Sequence, residues 1–324
     1  MKAAVYDRYG SVDVVVRVVD VEKPVPSDDE ILVEVHAASV NPADWHFIRG
    51  LPYLARFLVM GWPRPKVTRP GIDVAGRVDA VGRNVTQFKA GDAVFGTCRG
   101  SFAEYACGSE ATLVAKPDHV TFDEAAAVPL AGFTALQGLR NKGKIRAGHD
   151  VLVIGAAGGV GTYAVQIAKT FGANVTGVCS TRNVEMVRSA GADRVVDYSR
   201  DDFTEGDHRF DLILDCIGNR PLSACRRVLG PEGIYVMVGA EKPFRRLIAM
   251  RVMSSLGKQK FLLLLARKSK EDFIALRDML DERKIRSVID RRYRLSEVSD
   301  ALRYLEAGHA RGKVVITMEP GGRS

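Results

Sequence analysis

No apolar run in this 324-residue chain approaches the length of a membrane span. The longest, Phe261-Leu-Leu-Leu-Leu-Ala266, is only strand length and is bracketed by Lys260 and Arg267. No membrane partner is therefore expected. Cysteine is scarce and odd in number: five, at positions 98, 107, 179, 216 and 225, with no C-x-x-C pair. That speaks against a disulfide framework and fits reduced thiols in a cytoplasm. The opening Met1-Lys-Ala-Ala-Val-Tyr6 reads directly as a strand rather than a signal peptide, so a cytoplasmic location is expected. Internal repeats and low-complexity segments are absent from the sequence. Acidic residues are in the minority, 39 against 47 Lys and Arg, for a net charge of +8. Much of the excess lies in 245–270 and 283–294. No nucleic-acid module or aromatic–basic interleaving accompanies it. It reads as a solvated basic face, and a nucleic-acid partner is not expected.

What the chain does have is one dense signal, Val151-Leu-Val-Ile-Gly-Ala-Ala-Gly-Gly-Val-Gly161. The apolar run Val151–Ile154 reads as a fully buried strand, glycines follow at 155, 158, 159 and 161, and 162–171 reads as a helix ended by Gly172. Strand, glycine turn and helix form the start of a βαβ unit, with a second strand at 175–178. A glycine turn lets a pyrophosphate lie against the backbone. The helix N-terminus offers unpaired N–H groups and the positive end of its dipole. This context points to a dinucleotide site, although Gly-x-x-Gly-x-x-Gly is one residue off the commoner spacing.

The length suggests two domains. Residues 1–124 read as β-rich: 31–37 alternates with period two, and 76–82 and 92–96 are strand–turn pieces. From about 125 the pattern alternates. Strands are expected at 151–154, 175–178, 194–197, 212–215 and 234–238, with helices near 160–171, 183–190 and 221–229. After about 257 come a helix at 271–283, a strand at 287–290, a helix at 296–307 and a strand at 313–318.

The tip of the second strand in such a unit meets the adenosine ribose. A carboxylate there would favour a 2′-hydroxyl and repel a 2′-phosphate. This chain has Val178-Cys-Ser-Thr-Arg-Asn183 instead. A guanidinium with hydroxyl donors suits a phosphate dianion, so NADP(H) is expected over NAD.

With these residues in place, the chain resembles the medium-chain dehydrogenase/reductase superfamily, and within it the zinc-free quinone oxidoreductase branch (zeta-crystallin-like). The matching pieces run through nearly the whole chain. They are Ser39-Val-Asn-Pro-Ala-Asp44, Gly71-Ile-Asp-Val-Ala-Gly76, Phe88-x-x-Gly91-Asp92-x-Val94, Phe102-Ala-Glu-Tyr105, Ala126-Ala-Val-Pro129, the glycine turn, Gly191-Ala192-Asp193, Val288-Ile-Asp-Arg-Arg-Tyr293 and Gly308-His-Ala-Arg-Gly-Lys313. The resemblance implies an α/β fold: a GroES-like β-rich domain (1–124 and 257–324) with an inserted Rossmann domain, a doubly wound parallel sheet, at 125–256, and a cofactor cleft between them. It also implies a homodimer.

Zinc-dependent relatives hold the metal with a Cys, a His and a later Cys or Asp, the donors a tetrahedral zinc needs. Here Asn41 and Ile72 stand at the first two positions, and no Cys lies near 129–134. No metal is expected. Without zinc to polarise a carbonyl, plain alcohol dehydrogenation is poorly supported. Hydride addition to a quinone or an α,β-unsaturated carbonyl suits the arrangement better, with the cofactor carrying the hard chemistry.

By resemblance, Asn41 and Asp44 line the nicotinamide end, Asn41 bonding the ribose or the substrate carbonyl; Asn41-Pro-x-Asp44 is equally a good turn. Tyr53 is expected at the mouth of the site and Thr134 near the nicotinamide. Gly158, Gly159 and Val160 are expected on the pyrophosphate, Ser180 and Arg182 on the 2′-phosphate with Tyr198 nearby, and Cys216 and Ile217 at the adenine ribose. Val238 and Gly239 are expected at the carboxamide, and Lys313 at the cofactor phosphates or merely on the surface. The competing readings are enoyl-thioester or alcohol chemistry, and an NADPH-binding sensor or RNA-binding protein without turnover.

Overall fold

The computed structural model describes residues 1–53, 56–238 and 243–318. Among these the chain forms two compact units. The first is Met1–Leu130 with Lys268–Glu282 and Ser287–Ser324; the second is Ala131–Arg267 with Arg283–Arg286.

In chain order the strands are β1 Lys2–Val5, β2 Arg17–Asp20, β3 Glu30–Val40, β4 Asp73–Val81, β5 Ala93–Thr97, β6 Tyr105–Ser109 and β7 Leu113–Ala115. The second unit contributes β8 Asp150–Ile154, β9 Asn174–Cys179, β10 Arg194–Asp197, β11 Phe210–Asp215, β12 Leu229–Met237 and β13 Lys260–Leu263. The tail adds β14 Ile289–Arg294 and β15 Lys313–Thr317.

In the first unit, β3 is the organising element. From Val33 to Ala37 burial alternates, as the sequence pattern requires, but Ile31–Val33 are buried in succession and so are Ala37–Val40. The reason is crowding. β3 pairs antiparallel with β4, β6 and β15 along its edges, and the helices Phe122–Ala126 and Val298–Glu306 pack against the strand. The tail thus returns to the first sheet through β15, and β14 joins β15 in parallel. Ile31, Val33, Val35, Phe102 and Leu113 form the core with Val298, Ala301 and Leu302 of the helix Val298–Glu306. Each fully buried side chain of this kind contributes about 1.5–3 kcal/mol against exposure.

In the second unit every strand pair is parallel, in the order β10-β9-β8-β11-β12-β13. The fold class expected from the sequence is observed. Chain order reverses between β8 and β11, and in an open parallel sheet a ligand binds in the crevice at the carboxyl ends of such a switch point. One difference from the sequence reading concerns the second boundary. A limit at 256 leaves out β13, which pairs parallel with β12; the unit runs to Arg267. Among the described residues no helix is long and apolar enough to cross a membrane.

Candidate functional site

The second unit concentrates its chemistry at the carboxyl ends of its strands. β8 ends at Ile154, and the turn hands over to the helix Gly159–Thr170, with Gly158 at its N-cap. The turn is closed by Gly158 N–H donating to Gly155 O at 3.0 Å and Thr162 N–H to Gly158 O at 2.9 Å. The N–H groups of 159–161 fall in the first helical turn, where no intrahelical acceptor exists. Gly161 is dictated by close approach: a Cβ there would lie 2.1 Å from Gly155 O. At Gly158 a Cβ would meet only Gly155 O, at 3.5 Å, so the space beside this N-cap is open. Open space, a row of first-turn N–H groups and the positive helix end together fit a pyrophosphate.

The neighbouring strand ends surround this turn. Ser180 follows β9 and accepts from Asn183 Nδ2 at 3.2 Å, while Arg182 is exposed on a single 3₁₀ turn. Tyr198 follows β10 and is 54 % exposed, its backbone N–H tied to Cys179 O at 3.0 Å. Asp197, at the tip of β10, accepts from Thr181 Oγ1 at 2.5 Å and from Ser199 N–H at 3.0 Å. These bonds hold its carboxyl below the usual range. The sequence reading found no carboxylate at the tip of β9; this one comes from the strand beside it. Cys216 is half-buried, and burial together with Asp215 pushes its thiol well above the ordinary cysteine range. It is a packing residue at neutral pH. Ile217 is 45 % exposed, and Val238 donates its N–H to Asp215 O at 2.9 Å. Thr134 is buried on the helix Pro129–Leu136. Gly239 lies outside the described residues.

Sequence reasoning missed what holds the β11 loop. Asp215 is fully buried; its Oδ1 accepts from the N–H groups of Ile217 (3.0 Å) and Gly218 (2.8 Å). Its Oδ2 accepts from the Tyr235 hydroxyl at 2.5 Å, and Arg246 Nη2 donates to that hydroxyl at 2.8 Å. Burial and the carboxylate push the Tyr235 phenol far above its ordinary pKa, so it stays a donor. The only signal was an acid ending a buried strand. Its partners, on β12 and on the helix Pro243–Ser255, are visible only in three dimensions.

The first unit carries a second constellation, almost entirely desolvated: Ser39, Asn41, Asp44, Asp73 and Lys313 are each at most 3 % exposed. Asp73 Oδ2 accepts from Ser39 Oγ at 2.9 Å and Asn41 Nδ2 at 2.9 Å; Oδ1 accepts from Leu130 N–H at 3.0 Å. Lys313 Nζ lies 3.5 Å from Asp73 Oδ2 and donates to Asn41 Oδ1 at 2.6 Å. A buried charge pair of this kind survives because its remaining polar atoms are also bonded. Two sequence expectations change. Lys313 is not a surface residue, and its ammonium is already engaged. Asn41 spends both Nδ2 hydrogens, on Asp73 and on Ser39 O at 3.2 Å, so it has no donor left for a ribose or a carbonyl. Its role here is to orient the cluster.

Asp44 is the third residue of the helix Pro42–Arg49. Its Oδ2 accepts the Asn41 N–H at 2.8 Å, half of a capping box. Burial raises its pKa to about 7; the Asp73 charge pushes the same way, while Lys313 and the backbone N–H groups of Asn41 and Gly71 oppose. It is a carboxyl poised to hold or release a proton near neutrality. Tyr53 is 67 % exposed, with the Arg56 guanidinium 4.7 Å over its ring.

The residues at the expected zinc positions do not suit the metal. Asn41 offers a carboxamide oxygen already bound to an ammonium, and Ile72 offers no donor. Among the described residues no group of three or more His, Cys, Asp or Glu is arranged to hold a metal ion.

Comparison with known proteins gives a consistent picture. Residues 27–118 match the alcohol dehydrogenase GroES-like domain, and residues 190–316 match a family described as zinc-binding dehydrogenase. The chain is 34 % identical to the chloroplast envelope quinone oxidoreductase homolog of Arabidopsis thaliana, over 98 % of each. It is also 34 % identical to the NADPH-dependent alkenal/one oxidoreductase of the same plant, over 98 % of this chain and 79 % of that one. Among solved structures, the quinone oxidoreductase of Coxiella burnetii superposes with a TM-score of 0.88 at 31 % identity, covering 98 % of this chain and 99 % of the other.

Proposed function

The chain belongs to the medium-chain dehydrogenase/reductase superfamily, in its zinc-free quinone oxidoreductase branch, and from that premise we propose that it is an NADPH-dependent, zinc-independent reductase of quinones and α,β-unsaturated carbonyls. The observation that carries the reading is the presence, in one chain, of a phosphate cradle at Gly158–Gly161 and a buried, proton-holding Asp44, with no metal-ligating set among the described residues. When bound, the reduced nicotinamide supplies a hydride equivalent. Gly158, Gly159 and Val160 hold its pyrophosphate, Ser180 and Arg182 its 2′-phosphate, with Tyr198 alongside. Cys216, Ile217 and Val238 line the rest, with Thr134 toward the reacting end. Arg182 and the absence of an acid at the tip of β9 favour the phosphorylated cofactor, and one relative is named for NADPH.

Reduction of a conjugated carbonyl moves negative charge onto oxygen, and a proton must follow. Among the described residues of the first unit, Asp44 is the carboxyl that holds a proton into the neutral range. Asn41, Asp73 and Lys313 fix its surroundings, and Tyr53 is assigned to the mouth of the site. Zinc independence rests on donor chemistry: a metal at Asn41 would have to displace the Lys313 ammonium. The reading extends to a cytoplasmic homodimer, for which β13, the last strand of the sheet, is the natural joint.

The test is the loss of NADPH, and separately NADH, absorbance with 9,10-phenanthrenequinone, 1,4-benzoquinone and a short 2-alkenal, with and without chelator. Chelator-resistant oxidation that prefers NADPH is expected. No turnover with any quinone or enone would sink the proposal.

A further inference from the structure

The first unit contains a cavity of about 150 Å³ whose lining comes from that unit alone. Phe47, Val67 and Ile72 supply apolar wall. The charged groups are Asp44, Arg69, Arg99 and Lys268, three cations against one carboxyl. Arg99 is answered by Glu30 at 2.8 Å. Asp44 faces its own helix, accepting the Asn41 N–H at 2.8 Å, and burial leaves it partly protonated at neutral pH. Arg69 and Lys268 are exposed by surface area, and among the described residues neither forms an ion pair; burial of the Lys268 amine lowers its pKa, and Asp73 opposes that only through space. The sequence reinforces the imbalance: from 45 to 72 there are five Arg and Lys residues and no Asp or Glu. An apolar wall beside two cations that no carboxylate contacts is complementary to a short carbon skeleton ending in an anion.

We propose that this cavity selects substrates carrying a carboxylate, an unsaturated keto acid or an acid-bearing quinone, with Lys268 and Arg69 holding the anionic end. This deepens the reductase reading and rests on it. With 4-oxopent-2-enoate, hydride adds to the alkene carbon β to the ketone, the π-electron pair moves to the ketone oxygen, and a proton is taken up at the α carbon. NADPH leaves as NADP⁺, and the product is 4-oxopentanoate, its carboxylate unchanged. The carboxylate contributes binding and orientation, not electrons.

Two measurements on the full chain test this. The first is calorimetric binding of 4-oxopentanoate and of its methyl ester, without cofactor. The acid is expected to bind at least about tenfold more tightly, the size one charge-assisted contact carries in a partly desolvated site. Lys268→Met should abolish that preference, Arg69→Gln should weaken it, and Lys268→Arg should preserve it. The second is the ratio of kcat/KM for 4-oxopent-2-enoate to that for its methyl ester, expected above one and to fall about tenfold in Lys268→Met whatever happens to either rate alone. Ester and acid bound or turned over equally, or a ratio unmoved by Lys268→Met, overturns the anion site and leaves the reductase reading standing. Acid preference in binding with neither compound reduced removes the reductase reading, and the substrate assignment with it.

Discussion

Asp44 is 2 % exposed and bonded to a backbone N–H, yet its pKa is raised to about 7. The folded state therefore holds a proton that the unfolded chain, with a carboxyl near 4, has already released. Stability from this group is complete below about pH 4 and is lost as pH rises toward 7. Asp44→Asn keeps an acceptor for the Asn41 N–H and removes the titration. The difference in unfolding free energy between variant and wild type, from urea titrations, should thus move in the variant's favour from pH 4.5 to 8, by at most about 4 kcal/mol. A pH-independent difference would mean that Asp44 titrates normally. The same variant should flatten any fall in kcat above neutral pH. Arg182 answers a different question. Arg182→Gln should raise KM for NADPH by about tenfold or more and leave KM for NADH within about twofold, since only one cofactor carries the 2′-phosphate. Equal effects on both would move the 2′-phosphate contact elsewhere. Asn41 and Asp44 were legible in sequence through the family resemblance and as a local turn pattern, which the structure shows to be a helix cap. Lys313 was not, because its amine meets Asn41 only through the pairing of β15 with β3.

At the scale of elements, the strand–turn–helix at 150–170 was readable almost residue for residue. Its signals are local: an apolar run, glycines where the backbone closes on itself, and a largely apolar helix buried from Gly161 to Ala168. Gly161→Ala tests how tight that closure is. The added methyl would sit 2.1 Å from Gly155 O and 2.8 Å from Ala156 Cα, both backbone. The turn must open, and NADPH binding by fluorescence titration should weaken at least about a hundredfold while far-UV circular dichroism stays near wild type. Unchanged affinity would mean that the phosphate does not lie on this turn. By contrast β13 was read only as an apolar run of strand length. Nothing within Phe261–Leu263 says that it pairs with β12 in parallel; that follows from the sheet it extends. The Asp215–Tyr235–Arg246 chain was invisible for the same reason, since its members come from β11, β12 and the following helix.

At the scale of the whole molecule, the first unit is discontinuous in sequence, and its last segment is structural. β14 and β15 cover one side of β3, and β15 supplies the Lys313 ammonium that compensates buried Asp73. A chain ending at residue 286 should leave Asp73 buried and uncompensated, a loss of about 3–5 kcal/mol, with the β3 edge open besides. Limited proteolysis should then cut within 1–130 at rates far above wild type; protection equal to wild type would show that the tail is dispensable. The sequence alone determined the parallel α/β pattern of the second unit and the nucleotide turn, because these rest on local periodicity and glycine spacing; the GroES-like half and the significance of positions 41 and 72 came through the family resemblance. Tertiary structure alone decided that Lys313 is buried, that the donors of Asn41 are already spent, that Asp44 holds its proton near neutrality, and that Arg69 and Lys268 share one cavity. Those outcomes depend on which distant residues share a desolvated space, and desolvation and charge pairing are properties of the packed chain, not of its order.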